Sequence, residues 1–441
     1  MRPRVFETIL CNSLKQILKK PRKIIILSGN PLCHNPRVLK EAEVLTEAGH
    51  EVEILTSGRN PALLQRDRHL ASGKKWKIQP LMTKLSSFEK FGIRAKRRLG
   101  NLAHRWLRLE NPWQLGEMAN LLYRKAKESD AVFFIAHSEP GMWAADRLLK
   151  EGESVGVDME DWFSEDLLPE ARKERPLALL KRLEKNLLCH GAAGTCTSEA
   201  MADALVSAYG CRRPTVIQNV FPVKDRETMD GKWKDRPGMA KWMPSNDPDI
   251  ARPQDAPVSI HWFSQTIGPG RGLEILLRAL DGVNGNWELH LRGNLKGYEG
   301  WLERACPASV KDRLKLHGLV ENEELLSRIS EHDIGYAGEE KMPPSRNLTI
   351  TNKLFQYLQG GLATVASDTA GQMEAAKEAE GAIRLYQAGN PDSLRTVLVS
   401  LLGDRSHILR IKKNAWEAGA QLSWENEARK YRELTRQLER N

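Results

Sequence analysis

Two turns in the C-terminal half of the chain carry the residue types best suited to bind an anion. The first, residues 264–272, places Arg271 between two glycines, after an apolar run and before the amphipathic run 273–280. Glycines let the backbone approach a ligand closely, and a guanidinium group binds phosphate oxygens in a bidentate manner. The pattern predicts a phosphate-binding turn. The alternative is an ordinary glycine-rich turn whose arginine faces solvent.

The second turn belongs to residues 347–368, which read as a polar loop, a short amphipathic helix and a small buried strand. The helix is predicted to open at Thr351-Asn352 and to end at Gly360-Gly361. Free N–H groups at a helix N-terminus attract an anion, and polar side chains beside them can hold a sugar ring or ribose. The alternative is a standard strand–helix unit with a polar loop.

The elements that must position these turns alternate between short apolar strands and amphipathic helices. Residues 23–27 are a predicted buried strand, a helix follows from about residue 36, and residues 51–55 are the next strand. A parallel βαβ unit of this kind is half of a Rossmann-like sheet. It lacks the GxGxxG motif, so a dinucleotide site of the NAD type is not predicted.

The same alternation continues to the end of the chain, with two interruptions. Residues 57–120 are basic and predicted to be irregular, and residues 221–257 are rich in proline, charge and tryptophan, as in a linker. We therefore predict an α/β fold with two Rossmann-like parallel-sheet domains that face each other across a cleft. The predicted divisions are residues 1–222, a linker or surface excursion at 223–256, and residues 257–424, with a C-terminal helix at about 425–441 that packs back on the first domain.

Composition is that of a soluble globular protein. The chain has 441 residues, of which 41% are hydrophobic, and no apolar run approaches the ~20 residues needed to span a bilayer. Charged residues interrupt the N-terminal segment, so no secretory signal is predicted. The six cysteines are scattered without metal-site spacing, which favours a reducing cytosol and argues against a zinc site or a disulfide scaffold. We predict no metal and no cofactor.

The net charge of +10 is concentrated in a few segments. Residues 94–108 are basic with interleaved aromatics, and residues 6–20 place apolar side chains on one helical face beside lysines. Basic amphipathic helices can lie on anionic lipid, with about 1 kcal/mol contributed by each cation near the surface. The alternative is a solvated helix packed on its own domain. We predict a cytoplasmic protein with a peripheral contact on an anionic membrane, and no nucleic-acid partner, because no recognised binding motif accompanies the charge.

Taken in order, these motifs resemble the family 4 glycosyltransferases, which have the GT-B architecture and a retaining mechanism (the glycosyl transferases group 1 type). In the N-terminal half the resemblance rests on residues 35–52, residues 195–200, and residues 216–219, which stand where the family has its IPNG turn. In the C-terminal half it rests on Arg271-Gly272, residues 316–320, and residues 351–368. The resemblance covers residues 23 to 380 and implies a nucleotide-sugar donor.

The resemblance also implies roles for individual residues of the C-terminal domain. Arg271 falls where the family has a basic residue on the donor diphosphate, and Gln265 falls where many members have an arginine. Thr351, Asn352 and Lys353 fall where helix N-terminal amides receive the same diphosphate. The other predicted donor-site residues are Gly29, Asn30, His317, Gly318, Leu319, Asn347 and Gln356.

Both acidic residues of the family's E-x7-E motif are replaced in this sequence. Leu348 occupies the first position, which normally contacts the donor sugar, and Gln356 occupies the second, which normally contacts the ribose. Glutamine can still hydrogen-bond ribose hydroxyls, but leucine cannot replace a carboxylate. Asn347, Thr349 or Glu340 are candidates for the missing sugar contact. The replacements leave open a protein that binds nucleotide sugars without catalysis.

In the N-terminal domain, His137 follows a predicted strand and resembles a His-Glu-Pro element near the sugar. It can hydrogen-bond the transferred sugar or the acceptor, or it can be satisfied by neighbouring backbone. Asp158, Glu160 and Asp161 match a family segment that reads Asp-x-His-Glu. These carboxylates either orient acceptor hydroxyls or cap the next helix. His137 and Arg271 are the predicted catalytic residues.

The prediction is thus a metal-independent, retaining glycosyltransferase of the hexosyltransferase type. It would move a sugar from a nucleotide sugar to a glycan or lipid-linked acceptor in polysaccharide or glycoconjugate biosynthesis. Arg271 and the helix N-terminus at Asn352 would stabilise the charge that develops on the leaving diphosphate. One alternative is the non-catalytic binding protein. Another is a nucleotide-sugar epimerase, which would need a carboxylate constellation that Leu348 and Gln356 argue against.

Overall fold

A computed structural model describes residues 22–107, 109–173, 175–229 and 256–440, and the chain forms two compact units. The first unit contains the described residues up to Cys196, Ala202–Ile217, and the chain from Ala428. The second unit contains Thr197–Met201 and the described part of Gln218–Glu427. The predicted amphipathic segment 6–20 and residues 230–255 of the predicted linker lie outside the described residues.

The first unit is built on a seven-stranded parallel sheet with the order β3-β2-β1-β4-β5-β6-β7. Its strands are β1 (Lys23–Leu27), β2 (Glu51–Thr56), β3 (Lys77–Pro80), β4 (Phe133–Ala136), β5 (Val155–Met159), β6 (Ala193–Cys196) and β7 (Thr215–Val216). The central strands are buried along their length because helices cover both faces of a parallel sheet.

Eight α-helices lie between these strands in the described residues, and the last of them passes from the second unit into the first. They are α1 (Pro36–Glu47), α2 (Pro61–Ala71), α3 (Ser87–Leu107), α4 (Ala119–Lys127), α5 (Ser138–Lys150), α6 (Pro169–Arg172), α7 (Leu177–His190) and α8 (Glu199–Tyr209). The prediction that residues 57–120 are irregular is wrong, since α2, β3 and α3 occupy most of them. The reason is that β3 is a half-exposed edge strand, and α3 exposes most of its apolar residues.

The second unit has a six-stranded parallel sheet with the order β10-β9-β8-β11-β12-β13. Its strands are β8 (Val258–Thr266), β9 (Trp287–Asn294), β10 (Leu314–His317), β11 (Ile334–Ala337), β12 (Ala363–Ser367) and β13 (Ile383–Tyr386). Trp262, Trp287 and Tyr336 are among the largest side chains of its core, and each is at most 2% exposed.

Helices cover this second sheet, and the final helix continues into the first unit from Ala428. They are α9 (Leu273–Leu280), α10 (Glu299–Ala305), α11 (Ala308–Lys311), α12 (Asn322–Ser330), α13 (Pro344–Leu348), α14 (Asn352–Gln359), α15 (Ala370–Glu378), α16 (Pro391–Leu402), α17 (Arg405–Gln421) and α18 (Trp424–Arg440). Among the described residues, no helix combines the length and the apolar composition required to cross a bilayer.

Each sheet reverses its strand order once, beside its first strand. In the first unit the reversal lies between β1 and β4, and in the second it lies between β8 and β11. Open parallel sheets bind ligands beyond the carboxyl ends of the strands at such a switch point. The topology therefore points to the loops after β1 and β4, and to those after β8 and β11.

Candidate functional site

The glycine turn around Arg271 lies at the switch point of the second unit, directly before α9. Gly270 and Gly272 have φ values of +71° and +76°. A Cβ on Gly272 would lie 2.8 Å from the carbonyl oxygen of Gly338, so the crossing of the two loops leaves no room for a side chain. The Tyr336 hydroxyl, which is buried in the core of the sheet, donates to the Gly272 carbonyl at 3.0 Å and so holds the turn in place. Arg271 itself is exposed.

A second arginine, which the sequence analysis did not select, lies against this turn. Arg346 on α13 donates from Nη1 to the carbonyl oxygen of Gly270 at 3.1 Å. Glu274 accepts the N–H of Gly270 at 2.8 Å. The turn is therefore held by side chains on both sides, and two guanidinium groups border it. No motif links the two arginines, because they are separated by a whole series of strands and helices.

The predicted helix start at Thr351 is observed, since α14 spans Asn352–Gln359 and Thr351 is its extended N-terminal residue. Among the residues that the structure describes, no side chain caps this terminus, so its first N–H groups are available to a ligand. Lys353 lies in its first turn, with Nζ 3.4 Å from Oε1 of Glu339.

Residues 338–339 connect the two predicted anion-binding turns. Gly338 lies against Gly272, and the adjacent Glu339 contacts Lys353 at the start of α14. Both turns therefore lie at the same edge of one sheet, beside its switch point. This arrangement concentrates Arg271, Arg346, Lys353 and an uncapped helix N-terminus in one region, a combination suited to a diphosphate.

The other predicted donor-site residues of this unit differ in their burial and in their distance along the sheet edge from the Arg271 turn. Gln265 is exposed and lies within β8, because the strand continues past an irregularity at Phe263 to Thr266 and so includes the first residues of the predicted turn 264–272. The side-chain oxygen of Asn347 accepts the N–H of Ala370 at 3.2 Å, at the start of α15. Gln356 is half-buried on α14. Their roles in donor binding stay predictions.

His317, Gly318 and Leu319 lie at the carboxyl end of β10, two strands away from β8. Gly318 and Leu319 are exposed, and the Gly318 carbonyl accepts from Nη1 of Arg292 at 3.1 Å. The three residues share the sheet edge with the Arg271 turn without adjoining it in strand order. Donor binding by these residues also stays a prediction.

His317 is the outer member of a histidine cluster that crosses the second sheet, with His261, His290 and His332. The rings of His261 and His332 are parallel, with centroids 4.3 Å apart, and Nδ1 of His290 lies 3.0 Å from Nε2 of His317. Burial, reinforced by the neighbouring histidines and Arg292, lowers the pKa of His261 and His332 well below the ordinary value. Both rings are therefore neutral at pH 7.

Because His261 and His332 are buried in the neutral form, we expect the folded protein to lose stability in mild acid. The unfolded chain begins to protonate His261 and His332 below about pH 6.5, whereas the folded state does not. Each group should then lower the free energy of unfolding by about 1.4 kcal/mol per pH unit as the pH falls below that value. Urea unfolding between pH 7 and pH 5 measures the slope. The double variant His261→Phe/His332→Phe should have a shallower slope than the parent, and equal slopes would contradict the prediction.

In the first unit, Asp158 lies in a buried ion pair at the end of β5. Arg37 on α1 donates to Asp158 from Nε and, at 2.9 Å, from Nη2, and it donates from Nη1 to the carbonyl oxygen of Ile217 at 2.6 Å. Thr195 on β6 donates to Asp158 at 2.8 Å. The Arg37 and Asp158 side chains are 3% and 4% exposed. This geometry ties α1 to the carboxyl ends of three strands, β5, β6 and β7.

His137 joins the same buried network. Its Nε2 lies 2.5 Å from Oε2 of Glu41, and its Nδ1 lies 3.5 Å from Asp158. Burial disfavours the imidazolium, but the Glu41 carboxylate outweighs it and raises the pKa of His137 to about 9. The His137 side chain is 0% exposed, so in this structure it faces Glu41 and Asp158 rather than solvent. Its predicted role in catalysis stays a prediction.

The two remaining acidic residues of the predicted acceptor site lie just after β5 and are half-buried. Glu160 accepts from the side-chain amide of Asn35 at 3.0 Å, and burial raises the pKa of its carboxyl group. Asn35 also accepts from the N–H of Val38 and so begins α1. Glu160 therefore supports the start of α1. Acceptor binding by Glu160 and Asp161 is untested by this geometry.

An open pocket of about 350 Å³ lies at the switch point of the first unit. Gly29 and Asn30, after β1, line it together with Ser138, after β4. Gly29 has φ +67°, and a Cβ there would lie 3.0 Å from a methyl carbon of Leu122. Ser138 has φ +66°, the one positive value among the described non-glycine residues, and strained backbone of this kind is concentrated at functional sites.

Charged side chains line the same pocket. Arg59 and Arg97 both pair with Glu117, at 3.1 Å and 3.5 Å, and Glu139 pairs with Arg175. Two guanidinium groups (Arg59 and Arg97) and two carboxylates (Glu117 and Glu139) thus line the pocket, and Arg175 pairs with Glu139 from outside the lining. The charges balance, and their donors and acceptors suit a polyhydroxylated ligand. The sequence analysis missed Arg59, Arg97 and Glu117, because they come from three distant segments without a shared motif.

Comparison with known proteins finds similarity in structure alone, since no family model and no curated protein matches the sequence. Sucrose-phosphate synthase from Thermosynechococcus elongatus superposes with a TM-score of 0.68 at 15% identity, over 95% of this chain and 99% of that one. HepE from Anabaena, solved with UDP-glucose, superposes with a TM-score of 0.64 at 16% identity, over 93% and 98% of the two chains.

A Listeria monocytogenes protein assigned as a UDP-N-acetylglucosamine 2-epimerase gives a TM-score of 0.53 at 11% identity, over 93% of this chain and 94% of that one. At these identities the likeness concerns the fold. The structural neighbours include glycosyltransferases of the GT-B type, and the predicted fold class, two Rossmann-like parallel-sheet units of GT-B architecture, is confirmed.

Proposed function

We propose that this chain is a retaining glycosyltransferase that moves a sugar from a nucleotide sugar to a glycan or lipid-linked acceptor. The observation that carries the proposal is the junction of the Arg271 turn and the α14 N-terminus through residues 338–339. The fold supports it, because the structural neighbours include a sucrose-phosphate synthase and a protein solved with UDP-glucose. Polysaccharide or glycoconjugate biosynthesis is the proposed setting.

In the proposed mechanism, the second unit binds the donor diphosphate. Arg271 and the N–H groups at Asn352 and Lys353 stabilise the negative charge that develops as the bond between the sugar and the phosphate oxygen breaks. The departing phosphate oxygen takes the proton of the acceptor hydroxyl, and the new bond to that hydroxyl forms on the same face of the sugar. The protein needs no nucleophile, and its cations and N–H groups supply positive charge without a metal.

The pocket of the first unit is the proposed acceptor region. Gly29 lets the backbone approach a ligand, and Arg59 and Arg97 offer donors beside Asn30 and Ser138. Asp158, Glu160 and His137 act beneath this region by fixing the strand ends and α1. We therefore propose that these three residues position the acceptor region indirectly.

A protein that binds nucleotide sugars without turnover is the second candidate. The observation that favours it is the replacement of both E-x7-E carboxylates by Leu348 and Gln356. The carbonyl oxygen of Leu348 accepts from the Ser198 hydroxyl at 2.6 Å, which gives this position a backbone role. Assays of sugar release and transfer with the donors that bind distinguish the two candidates.

A thermal-shift panel of nucleosides, nucleoside diphosphates and nucleotide sugars tests donor binding. A diphosphate present at about 100 times its dissociation constant should stabilise the folded protein by about 2.7 kcal/mol. The matching nucleoside lacks the group that the two turns would bind and should stabilise it far less. Equal shifts for nucleoside and diphosphate, or no shift across the whole panel, would remove the basis of the proposed donor site.

A further inference from the structure

Helix α3 exposes a continuous apolar stripe. Phe88, Phe91, Leu99, Leu102 and Trp106 follow each other at helical spacing along one face, with Ala95 completing the series. Phe88 is 84% and Trp106 77% exposed, and the other three aromatic or leucine side chains are all more than half exposed. Large contiguous apolar patches on soluble proteins mark surfaces that bind another molecule or a membrane.

Contacts on the opposite side of α3 fix the orientation of the helix, so that the stripe faces outward. Ile93 and Gly100 are the buried residues of this helix. The Asn111 side-chain amide donates to the Gly100 carbonyl at 3.1 Å, and a Cβ on Gly100 would lie 2.4 Å from the Asn111 oxygen. Lys96 lies 5.6 Å above the ring of Trp113. The helix is therefore held by contacts along the side that carries Ile93 and Gly100. These contacts prevent the helix from rotating about its axis to bury the stripe.

The charge on α3 identifies the chemistry of its partner. The helix carries six cations against one carboxylate, Glu89, which gives a net charge of +5 with His104 neutral. Arg94, Arg98 and Arg105 recur at helical spacing along one flank of the stripe, and all three are exposed. An apolar stripe with an arginine flank matches the boundary between acyl chains and anionic headgroups.

We propose that α3 docks the first unit on an anionic membrane surface, with the apolar stripe in the acyl boundary and the arginine flank on lipid phosphates. The same helix contributes Arg97 to the pocket of Gly29, Asn30 and Arg59. Arg97 lies on the side of α3 away from the stripe, so docking would place that pocket about one helix diameter, ~10 Å, from the lipid surface. This consequence rests on the proposed function, because it favours a lipid-linked acceptor over a soluble glycan.

Vesicle flotation tests the docking with the full chain and no nucleotide present. The probes are vesicles of phosphatidylcholine alone and of phosphatidylcholine mixed with phosphatidylglycerol, each at low and high salt. The chain should float with the mixed vesicles at low salt and less at high salt. The stripe variant Phe91→Ser/Leu102→Ser/Trp106→Ser should lose at least about a hundredfold in partitioning. The flank variant Arg94→Glu/Arg98→Glu/Arg105→Glu should lose roughly a hundredfold on mixed vesicles only, since each cation contributes about fivefold.

Matched control variants separate the effect of the α3 surface from a general effect of removing exposed apolar side chains or positive charges. Leu168→Ser/Val399→Ser/Leu409→Ser removes three apolar side chains elsewhere that are about half exposed. Lys185→Glu/Arg212→Glu/Lys413→Glu makes the same charge change on exposed residues outside α3. Both controls should float like the parent, apart from a small uniform effect of net charge. A parent that does not float, or control variants that lose as much as the α3 variants, would overturn the inference.

Two further measurements complete the test. Light scattering without lipid shows whether the stripe instead binds a second copy of the chain. If the parent is a dimer that the stripe variant dissociates, and the parent does not bind vesicles, membrane docking is overturned. Circular dichroism confirms that the variants fold, and their response to nucleoside diphosphates reports the second unit. Vesicle binding without any nucleotide response would sink the proposed function and leave the docking intact, and the reverse result would do the opposite.

Discussion

Replacing Asp158 with alanine should lower the free energy of unfolding by about 3–5 kcal/mol. The change leaves Arg37 charged, 3% exposed and without the carboxylate that receives its Nε and Nη2 donors. It also removes the acceptor of the Thr195 hydroxyl. A buried charge that loses its partner keeps the full desolvation cost. Hydrogen exchange of the β1 and β5 amides, compared with urea unfolding, measures this loss within the first unit.

The surface pair of Arg213 and Asp203 provides a matched control in the same unit. Its side chains are 44% and 73% exposed, so Asp203→Ala should cost less than about 1 kcal/mol. The double variant Arg37→Met/Asp158→Leu removes both buried charges and should recover much of the stability lost by Asp158→Ala. If Asp158→Ala costs no more than Asp203→Ala, the buried pair does not hold the strand ends together.

The sequence predicted the central strands because their signals are local. The predicted strand 23–27 is β1, and 51–55 is β2 apart from one added residue. Both are short apolar runs, and the capping Asn35 followed by Pro36 marks the start of α1. Such signals require only residues within a few positions of one another. The confirmed fold class rests on these repeated strand and helix patterns.

The failure over residues 57–120 has a different physical origin. Among the described strands, β3 pairs with a single neighbour, and its residues are little buried, so it lacks the apolar run that identifies a central strand. In α3 the helical spacing of Phe88, Phe91 and Leu102 was present in the sequence. The many basic residues between them give the segment a polar composition, which favoured the prediction of an irregular region. Periodicity predicts a helix, yet it does not show that the apolar side faces solvent.

The candidate sites were predictable where one turn supplies the chemistry, and unpredictable where distant segments do. The glycine turn at Arg271 and the start of α14 were predicted from local patterns, and the structure contains both elements. Arg346, Arg59 and Arg97 reach their neighbours only through the fold. The same limit applies to His137 and Asp158, because their partners Glu41 and Arg37 lie 96 and 121 residues away in sequence. A histidine or carboxylate at a strand end looks alike in sequence whether it faces a ligand or a buried ion pair.

Replacing Arg271 with alanine should lower kcat/KM for the donor by roughly a hundred- to a thousandfold, the range for removing one preorganised donor to a developing charge. Arg346 does not substitute for it, because its guanidinium is directed to the Gly270 carbonyl at 3.1 Å. Arg271→Lys keeps the charge but loses the bidentate geometry, so it should recover only part of the activity. Steady-state kinetics with the donor identified by the thermal-shift panel measures the effect.

The division of that loss between kcat and KM decides how Arg271 acts. A contact that strengthens as the diphosphate leaves lowers kcat, whereas a contact equal in the bound donor and the transition state raises KM alone. Because Arg271 is exposed on a turn that Tyr336, Arg346 and Glu274 hold in place, we expect it to contact the leaving group, so its replacement should lower kcat. Arg410→Ala, at an exposed arginine of α17, is the control and should leave both parameters unchanged. Unchanged turnover in Arg271→Ala would remove this residue from the mechanism and shift attention to Lys353 and the N–H groups of α14.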